Sequence, residues 1–447
     1  MLKFVLRRFA TICAALALAA TPLAGLGTAA TTSGLSISGH QLYKDGVAYN
    51  PRGFNLIGLL TPAWCSNTMG QAANAHFGQS EMDAAAAWHA TLLRFQVSQR
   101  GLADPTISST DRATYLTEVE NGVSLARSNG FDVILSMQDQ SIGCGPAHPF
   151  PTQTTEDAWN VLAPVYASDP YVMFELYNEP NEANTTAGWN QWKNGGTTPN
   201  SNLGDTAIGH QALLDDIRGL GNTNVAIADG LNLAERLAGL TALTDSTGNL
   251  MYGIHPYFYT AGQSWWDSQY GTPSASVPVI ATEWNYTPSG CSTSYQTLAP
   301  MLLQYLHDKH IGVLGHAFDV PATNVDSTWT WTPTSCSGSY GGSGADLLTY
   351  FTGLSSSDTT APTAPTSASG TAVAGPQVNL SWTGSSDNVG VATYRVIRDG
   401  FFIALTAGTS YTDTTMSAGH THTYKIYAVD AAYNVSPASN NAVVNVP

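Results

Sequence analysis

The chain has 447 residues, a formal net charge of −16 at pH 7, 43% hydrophobic residues and only 11% charged ones. With 16 Lys and Arg against 32 Asp and Glu it is a poor nucleic-acid binder and better suited to a neutral ligand. Its length exceeds one ordinary domain, and its apolar content is ample for burial.

Lys3, Arg7 and Arg8 precede an apolar run from Phe9 to Leu18, then small residues through Ala30. The run is too short to span a bilayer, so residues 1–30 read as a secretory signal peptide cleaved near Ala29 or Ala30. Arg7-Arg8 matches a twin-arginine signal poorly, which favours the ordinary export route. The expected location is outside the cell or in a periplasm, with no membrane attachment in the mature form. Cys13 leaves with the leader, and Cys65, Cys144, Cys291 and Cys336 remain. An even count in an exported chain reads as disulfides, and the spacing is too wide for a zinc knuckle. Of the possible pairings, Cys65–Cys144 and Cys291–Cys336 close the shorter separations and are preferred; Cys65–Cys336 stays open.

In chain order, Asp45-Gly46 between alternating apolar residues predicts a small hairpin, placed as a plug under the bottom of the main domain. Strand Arg52 to Ile57 comes next, then a helix from Glu81 to Trp88 capped by Ser80, and strand Thr91 to Gln96. Helix Tyr115 to Ser128 stops at Gly130 and leads to strand Val133 to Met137. Helix Glu156 to Ala167 leads to the strand that opens at Tyr171 and runs into Asn178-Glu179-Pro180, where proline ends the ladder. Helix Thr206 to Gly219, strands Val225 to Ala228 and Met251 to Ile254, and strand Val277 to Trp284 come after it. Helix Tyr295 to Lys309, strand Gly312 to His316 and helix Asp346 to Phe351 close the series. Eight short strands, apolar on both faces and alternating mostly with helices, predict a (β/α)8 TIM barrel over residues 31–354. No Gly-rich phosphate loop is present, and no cofactor or metal is expected.

Residues 355–365 form a polar, proline-punctuated linker. Beyond it, alternating strands Val378–Trp382, Ala392–Arg398, Phe401–Leu405, Thr423–Val429 and Ala442–Val446 predict a small all-β, immunoglobulin-like sandwich over 366–447. Trp382 and Tyr394 fit its core, and Tyr424 fits a tyrosine corner. This tail resembles a fibronectin type III module. The linker predicts few contacts between tail and barrel, and a spacer role.

Polar residues collect at the predicted strand tips: Asn55, Arg94, Gln138, Asn178 with Glu179, His255 with Tyr257, and Glu283. In a barrel all of them face one rim. Two carboxylates, Glu179 and Glu283, at two strand tips are what cleavage of a glycosidic bond requires. In that order, Arg52-Gly53-Phe54-Asn55, Leu93-Arg94, Asn178-Glu179-Pro180, His255-Pro256-Tyr257 and Thr282-Glu283-Trp284 resemble glycoside hydrolase family five, of the clan of retaining (β/α)8 glycosidases. The resemblance covers roughly Leu35 to Leu354. It implies Glu179 as general acid/base and Glu283 as nucleophile, held about 5–5.5 Å apart. It also implies Asn178 on the sugar 2-OH, Arg94 and Tyr257 donating to Glu283, and His255 near the acid/base or the sugar hydroxyls.

Two departures stand out. The family usually carries a histidine at the third strand tip, where Gln138 follows Met137 here. It usually ends its eighth strand with a stacking tryptophan, where Ala317-Phe318-Asp319 stands here, so Phe318 is the expected smaller platform unless Trp329 or Trp331 folds back over the site. Tryptophans 64, 189, 192, 265, 266, 284, 329 and 331 fall mainly after strand tips and suit stacking on pyranose rings, with Trp284 the preferred contact. The favoured reading is a secreted, monomeric, retaining endo-β-glycanase acting on a polysaccharide, preferably β-1,4-glucan. An endo-β-1,4-mannanase is the rival within the class, and a carbohydrate-binding barrel without catalysis is the rival outside it.

Overall fold

Apolar runs bounded by turn residues form the strands expected of them. In the computed structural model, residues 33–60, 62, 73–139, 147–197, 206–257, 259–286, 293–336, 342–373 and 375–447 are described. Residues 1–32, on which the expected leader falls, and Trp64, Cys65, Cys144 and Cys291 lie outside them. Cys336 is disulfide-bonded, and its partner likewise lies outside the described residues.

Strands β1 (Leu35–Ser38), β2 (Gln41–Lys44) and β3 (Val47–Ala48) make an antiparallel sheet. The barrel strands are β4 (Arg52–Leu56), β5 (Leu92–Ser98), β6 (Asp132–Gln138), β7 (Val172–Glu175), β10 (Ala226–Asp229), β11 (Leu250–Ile254), β12 (Val279–Trp284) and β13 (Gly312–Gly315). They pair in parallel and close, β13 against β4. A small ribbon, β8 (Gly195–Thr197) with β9 (Thr206–Ile208), lies between β7 and β10 in the chain.

Strand alternation sorts the side chains into layers. Leu92, Ile134, Met173, Ile227, Ile280 and Leu314 point inward at the bottom, where Leu35 and Leu42 of the hairpin cover them. The hairpin is the plug the sequence predicts. Two residues further along each strand the interior turns polar: Arg94, Ser136, Glu175, Asp229 and Thr282, all 0% exposed. The intervening Leu93, Phe95, Val133, Leu135 and Phe174 point outward under the helices.

Several boundaries differ from expectation. Gly78, not Ser80, caps the helix Gln79–Ala87, because the Glu81 carboxylate reaches back to accept the Gly78 N–H at 2.7 Å. Residues 206–208 are strand rather than the start of a helix, which begins at His210; the preceding crossover is carried by an unpredicted helix, Thr186–Asn194. Strand β7 ends at Glu175, so Asn178 and Glu179 stand in the turn beyond it.

The tail is a two-sheet sandwich. One sheet is β14 (Thr366–Val373), β15 (Gln377–Thr383) and β18 (Ser410–Asp413). The other runs β17 (Phe401–Thr406), β16 (Val391–Arg398), β19 (His420–Asp430) and β20 (Ala442–Val446). Trp382, Tyr394 and Tyr424 are in its core. The Tyr424 hydroxyl donates to the Asp413 carboxylate at 2.9 Å, where a tyrosine corner would bond backbone.

The expectation of few contacts between tail and barrel does not hold. Arg395 pairs with Asp308 at 2.7 Å, and the Phe402 N–H donates to Gln263 at 2.6 Å. Tyr433 packs edge-on against Tyr350, ring centroids 4.9 Å apart, and Gly353 lies so close that an added Cβ would sit 2.3 Å from the Ala431 carbonyl. Ending the chain at Ser357 uncovers this face. Apolar burial of this kind is worth about 2 kcal/mol or more, so the truncated barrel should melt several degrees lower. A melting temperature equal to that of the full chain would show that the tail contributes no stability.

Candidate active site

The site is assembled on the polar upper layer of the barrel. Arg94, the third residue of β5, is fully buried with its guanidinium near the axis. Its Nε and Nη2 donate to Glu175 at 2.5 and 2.7 Å, and Nη1 donates to Glu283 at 2.6 Å. Nη2 also reaches Asn178 at 2.6 Å and Ser136 at 2.8 Å, and Nη1 bonds Asn55. One cation thus ties together the tips of five barrel strands.

Glu283 is 4% exposed. Thr282 already points into the lumen, so strict alternation would turn Glu283 outward. The β12–β13 register shifts between Ala281 and Trp284, which leaves both Thr282 and Glu283 facing inward. Oε1 accepts from Arg94 and from Gln96 at 2.8 Å, and Oε2 accepts from the Tyr257 hydroxyl at 3.1 Å. Burial alone would push this carboxyl up. The positive charges of His316, His255 and Arg94, with the Arg94 hydrogen bond, override it and hold the group well below the ordinary carboxylate range. Burial lowers the His316 imidazole, against the pull of Glu283.

Glu179 stands in the left-handed region, φ 51°, with its N–H donated to Asp229 Oδ2 at 3.1 Å. Its Oε1 lies 2.8 Å from His255 Nδ1, and His255 Nε2 meets Thr282 Oγ1 at 3.1 Å. One oxygen each of Glu179 and Glu283 and a ring nitrogen of His255 lie within 4.8 Å of one another. Burial opposes charge on His255, but the Glu283 and Asp229 carboxylates and the bond to Glu179 push it up to about 9. Glu175, Asp229 and His255 are also close enough to hold a cation, though Arg94 already supplies positive charge there. A cleft of ≈ 750 Å³ opens beside Glu179, lined by His148, Asn181, Glu182, Asn232 and Leu233 among others.

Arg94, Asn178, Glu179, His255, Tyr257 and Glu283 therefore converge. Gln138 sits in the same layer, 3% exposed, but its amide donates to Ser136 at 3.2 Å rather than to a carboxylate. Two expected sugar contacts are corrected. Trp284 is 0% exposed and packs edge-on against Tyr259 and Tyr286, because the residue after the inward Glu283 points into the outer layer. Phe318 is also fully buried, stacked between Phe54 and Trp331. Beyond β13 the group that faces Glu283 is His316, with Nδ1 3.4 Å from Oε2. Trp189, Trp192 and Trp266 are core residues as well, which leaves the half-buried Trp265, Trp329 and Trp331 of those expected tryptophans that are described. Gln96, Glu175, Asp229 and His316 belong to the site without having been expected there from sequence. Counting in twos from Arg94 along β5 would have found Gln96.

A parallel eight-stranded barrel with paired carboxylates at its C-terminal rim is the architecture of barrel glycosidases. The model of the cellulase family, glycosyl hydrolase family 5, matches residues 47–320, and the chain belongs to that family and is a glycoside hydrolase. The fold is similar to a beta-glucanase from Saccharophagus degradans solved with cellotetraose, at 20% identity and TM-score 0.54, covering 72% of this chain and 93% of that one. It is also similar to the catalytic domain of a Thermobifida fusca endoglucanase, at 18% identity and TM-score 0.52, covering 71% and 97%. Curated relatives match over shorter stretches. Chitinase A1 of Niallia circulans is 42% identical over 88 residues, 20% of this chain and 13% of the relative. Exoglucanase B of Cellulomonas fimi is 39% identical over 87 residues, 20% of this chain and 8% of the relative. The chain thus spans a small part of these relatives' length.

A folded-state pKa raised on His255 means that its charged form stabilises the fold. That contribution is complete below the ordinary histidine value of about 6.5 and is lost as pH rises through about 9. Melting temperatures taken from pH 6 to 10 should fall across this window, and His255→Gln should flatten the fall. An unchanged slope in the variant would place the titrating group elsewhere.

Proposed function

We propose that this chain is an exported, retaining endo-β-glycanase that cleaves β-1,4-glucan, with Glu179 as general acid/base and Glu283 as nucleophile. The observation that carries the reading is the approach of one Glu179 and one Glu283 oxygen to within 4.8 Å across a shared histidine. Retaining enzymes hold their carboxyls about 5–5.5 Å apart, too close to admit the water that inversion needs.

In the first step a Glu283 oxygen attacks the anomeric carbon while the glycosidic C–O bond breaks. Glu179 gives its proton to the departing oxygen. The charges around Glu283 keep it ionised for attack, and the Tyr257 hydroxyl, whose own pKa is driven well above normal first by burial and then by Glu283, stays protonated and donates. In the second step Glu179 takes a proton from water, which attacks the same carbon and releases Glu283. Asn178, held by Arg94 at 2.6 Å and by its N–H to the Met137 carbonyl at 2.9 Å, is fixed beside the reacting sugar, where it would bond the 2-OH.

The glucan assignment is supported by the family and by the cellotetraose-bound beta-glucanase of the same fold. Trp329 and Trp331 supply half-buried aromatic surface for a flat chain. The tail is read as a fibronectin type III-like module, supported by its two-sheet strand order and by curated matches of about its length. Export is supported by the leader of residues 1–30 and by the disulfide at Cys336.

Glu283→Ala should abolish turnover on every substrate. Glu179→Ala should lose about 10²-fold or more on polysaccharide, and far less in the glycosylation of aryl glycosides with good leaving groups. Equal loss on both substrate types would sink the role given to Glu179. Carboxymethylcellulose or barley glucan should thin faster than reducing ends appear. Thinning of a mannan with no effect on either glucan would transfer the assignment to an endo-β-1,4-mannanase.

A further inference from the structure

Asp229 is a buried acid that the two-step mechanism does not use. It ends β10, is 0% exposed, and stands opposite a glycine on the next strand: a Cβ added at Gly253 would lie 1.9 Å from Asp229 Oδ1. The barrel therefore leaves room for this side chain. Its Oδ2 accepts the N–H of Glu179 at 3.1 Å and lies 3.6 Å from Nε2 of His255, whose other nitrogen touches the Glu179 carboxylate.

The segment after Asp229 bonds the main chain just beyond Glu179 and the main chain of His255. Asn232, Leu233 and Ala234 are consecutive left-handed residues, φ 57°, 60° and 58°. That turn aims the Asn232 and Leu233 N–H groups at the carbonyls of Glu182 and Pro180, both at 3.1 Å, and the Ala234 carbonyl accepts the His255 N–H at 2.8 Å. Glu179 is left-handed itself, a conformation that a non-glycine residue keeps only when its surroundings enforce it. Asp229 accepts the N–H of that residue, and the turn behind it bonds the carbonyls of Pro180 and Glu182.

We propose that Asp229 is a positioning residue for the acid/base: it fixes the left-handed main chain of Glu179 and so aims that carboxyl at the leaving oxygen. This rests on the reading of Glu179 as the acid/base. The charged groups around Asp229 are Glu175 of β7, Arg94 of β5, His255 after β11 and Glu179. Burial, then the Glu175 charge, push the Asp229 carboxyl well above its ordinary range.

An amide oxygen can take over the acceptor role of the Asp229 Oδ2 that holds the Glu179 N–H. Asp229→Asn keeps an acceptor for the Glu179 N–H and a donor toward Glu175, whereas Asp229→Ala and Asp229→Leu keep neither; Leu fills the space and covers the case in which Ala fails to fold. The full chain and its variants are assayed on aryl β-glycosides of the accepted sugar, from dinitrophenyl (no proton needed) to phenyl. A positioned acid contributes about 10²–10⁴-fold, so Ala or Leu should lose roughly 30-fold or more in kcat/KM on the phenyl glycoside and under about 3-fold on the dinitrophenyl one. Asn should stay within about 3-fold on both. Equal loss on both glycosides, no loss in Ala or Leu, or an Asn variant as impaired as Ala would overturn the proposal. Glu179→Ala, run in parallel, must show the same split. Its absence there would overturn the role of Glu179 instead.

Discussion

The Arg94 guanidinium is the constraint on which the rest of the site depends. It is fully buried, bonded to two carboxylates, two amide side chains and a serine hydroxyl drawn from β4, β6, β7, β12 and the turn after β7. A buried cation is costly unless its partners hold it tightly, and removing one partner of such a group costs about 3–5 kcal/mol. The same requirement that keeps Arg94 satisfied therefore fixes Glu283 as an anion and anchors Asn178 one residue before Glu179. Stability and chemistry draw on one set of bonds.

Around that cation the acids divide by environment. Glu283 faces positive charge and is held ionised. Asp229, buried beside Glu175, is pushed well above its ordinary range. His255 joins them, touching Glu179 on one side and Thr282 on the other. Environments that push neighbouring titratable groups apart allow one site to run acid and base chemistry at one pH.

Much of this was legible in the chain. Apolar runs ending in polar residues located the eight strands, and Asn178-Glu179-Pro180 and Thr282-Glu283 marked the carboxylate-bearing tips. What was not legible depended on packing. Trp284 adjoins Glu283 in sequence, yet the two side chains take opposite faces of the wall, and a register shift in β12 decides that Glu283 is the one facing inward. Phe318 looked like a platform because it comes just after β13, but it stacks on Phe54 in the outer layer, and His316 faces the carboxylate instead. The linker of residues 355–365 reads as a spacer by composition. The contacts that bind tail to barrel, Arg395 to Asp308 and Tyr433 to Tyr350, are made by residues far from it in sequence.

The central claim is that Glu179 and Glu283 are close enough to force a double displacement. Tracking hydrolysis of a soluble β-linked oligosaccharide by proton NMR, before the products equilibrate, tests it directly. Double displacement delivers the β-anomer of the new reducing end first, which mutarotates to α afterwards. First appearance of the α-anomer would contradict it, because inversion needs a water held between carboxyls about 6.5–9.5 Å apart.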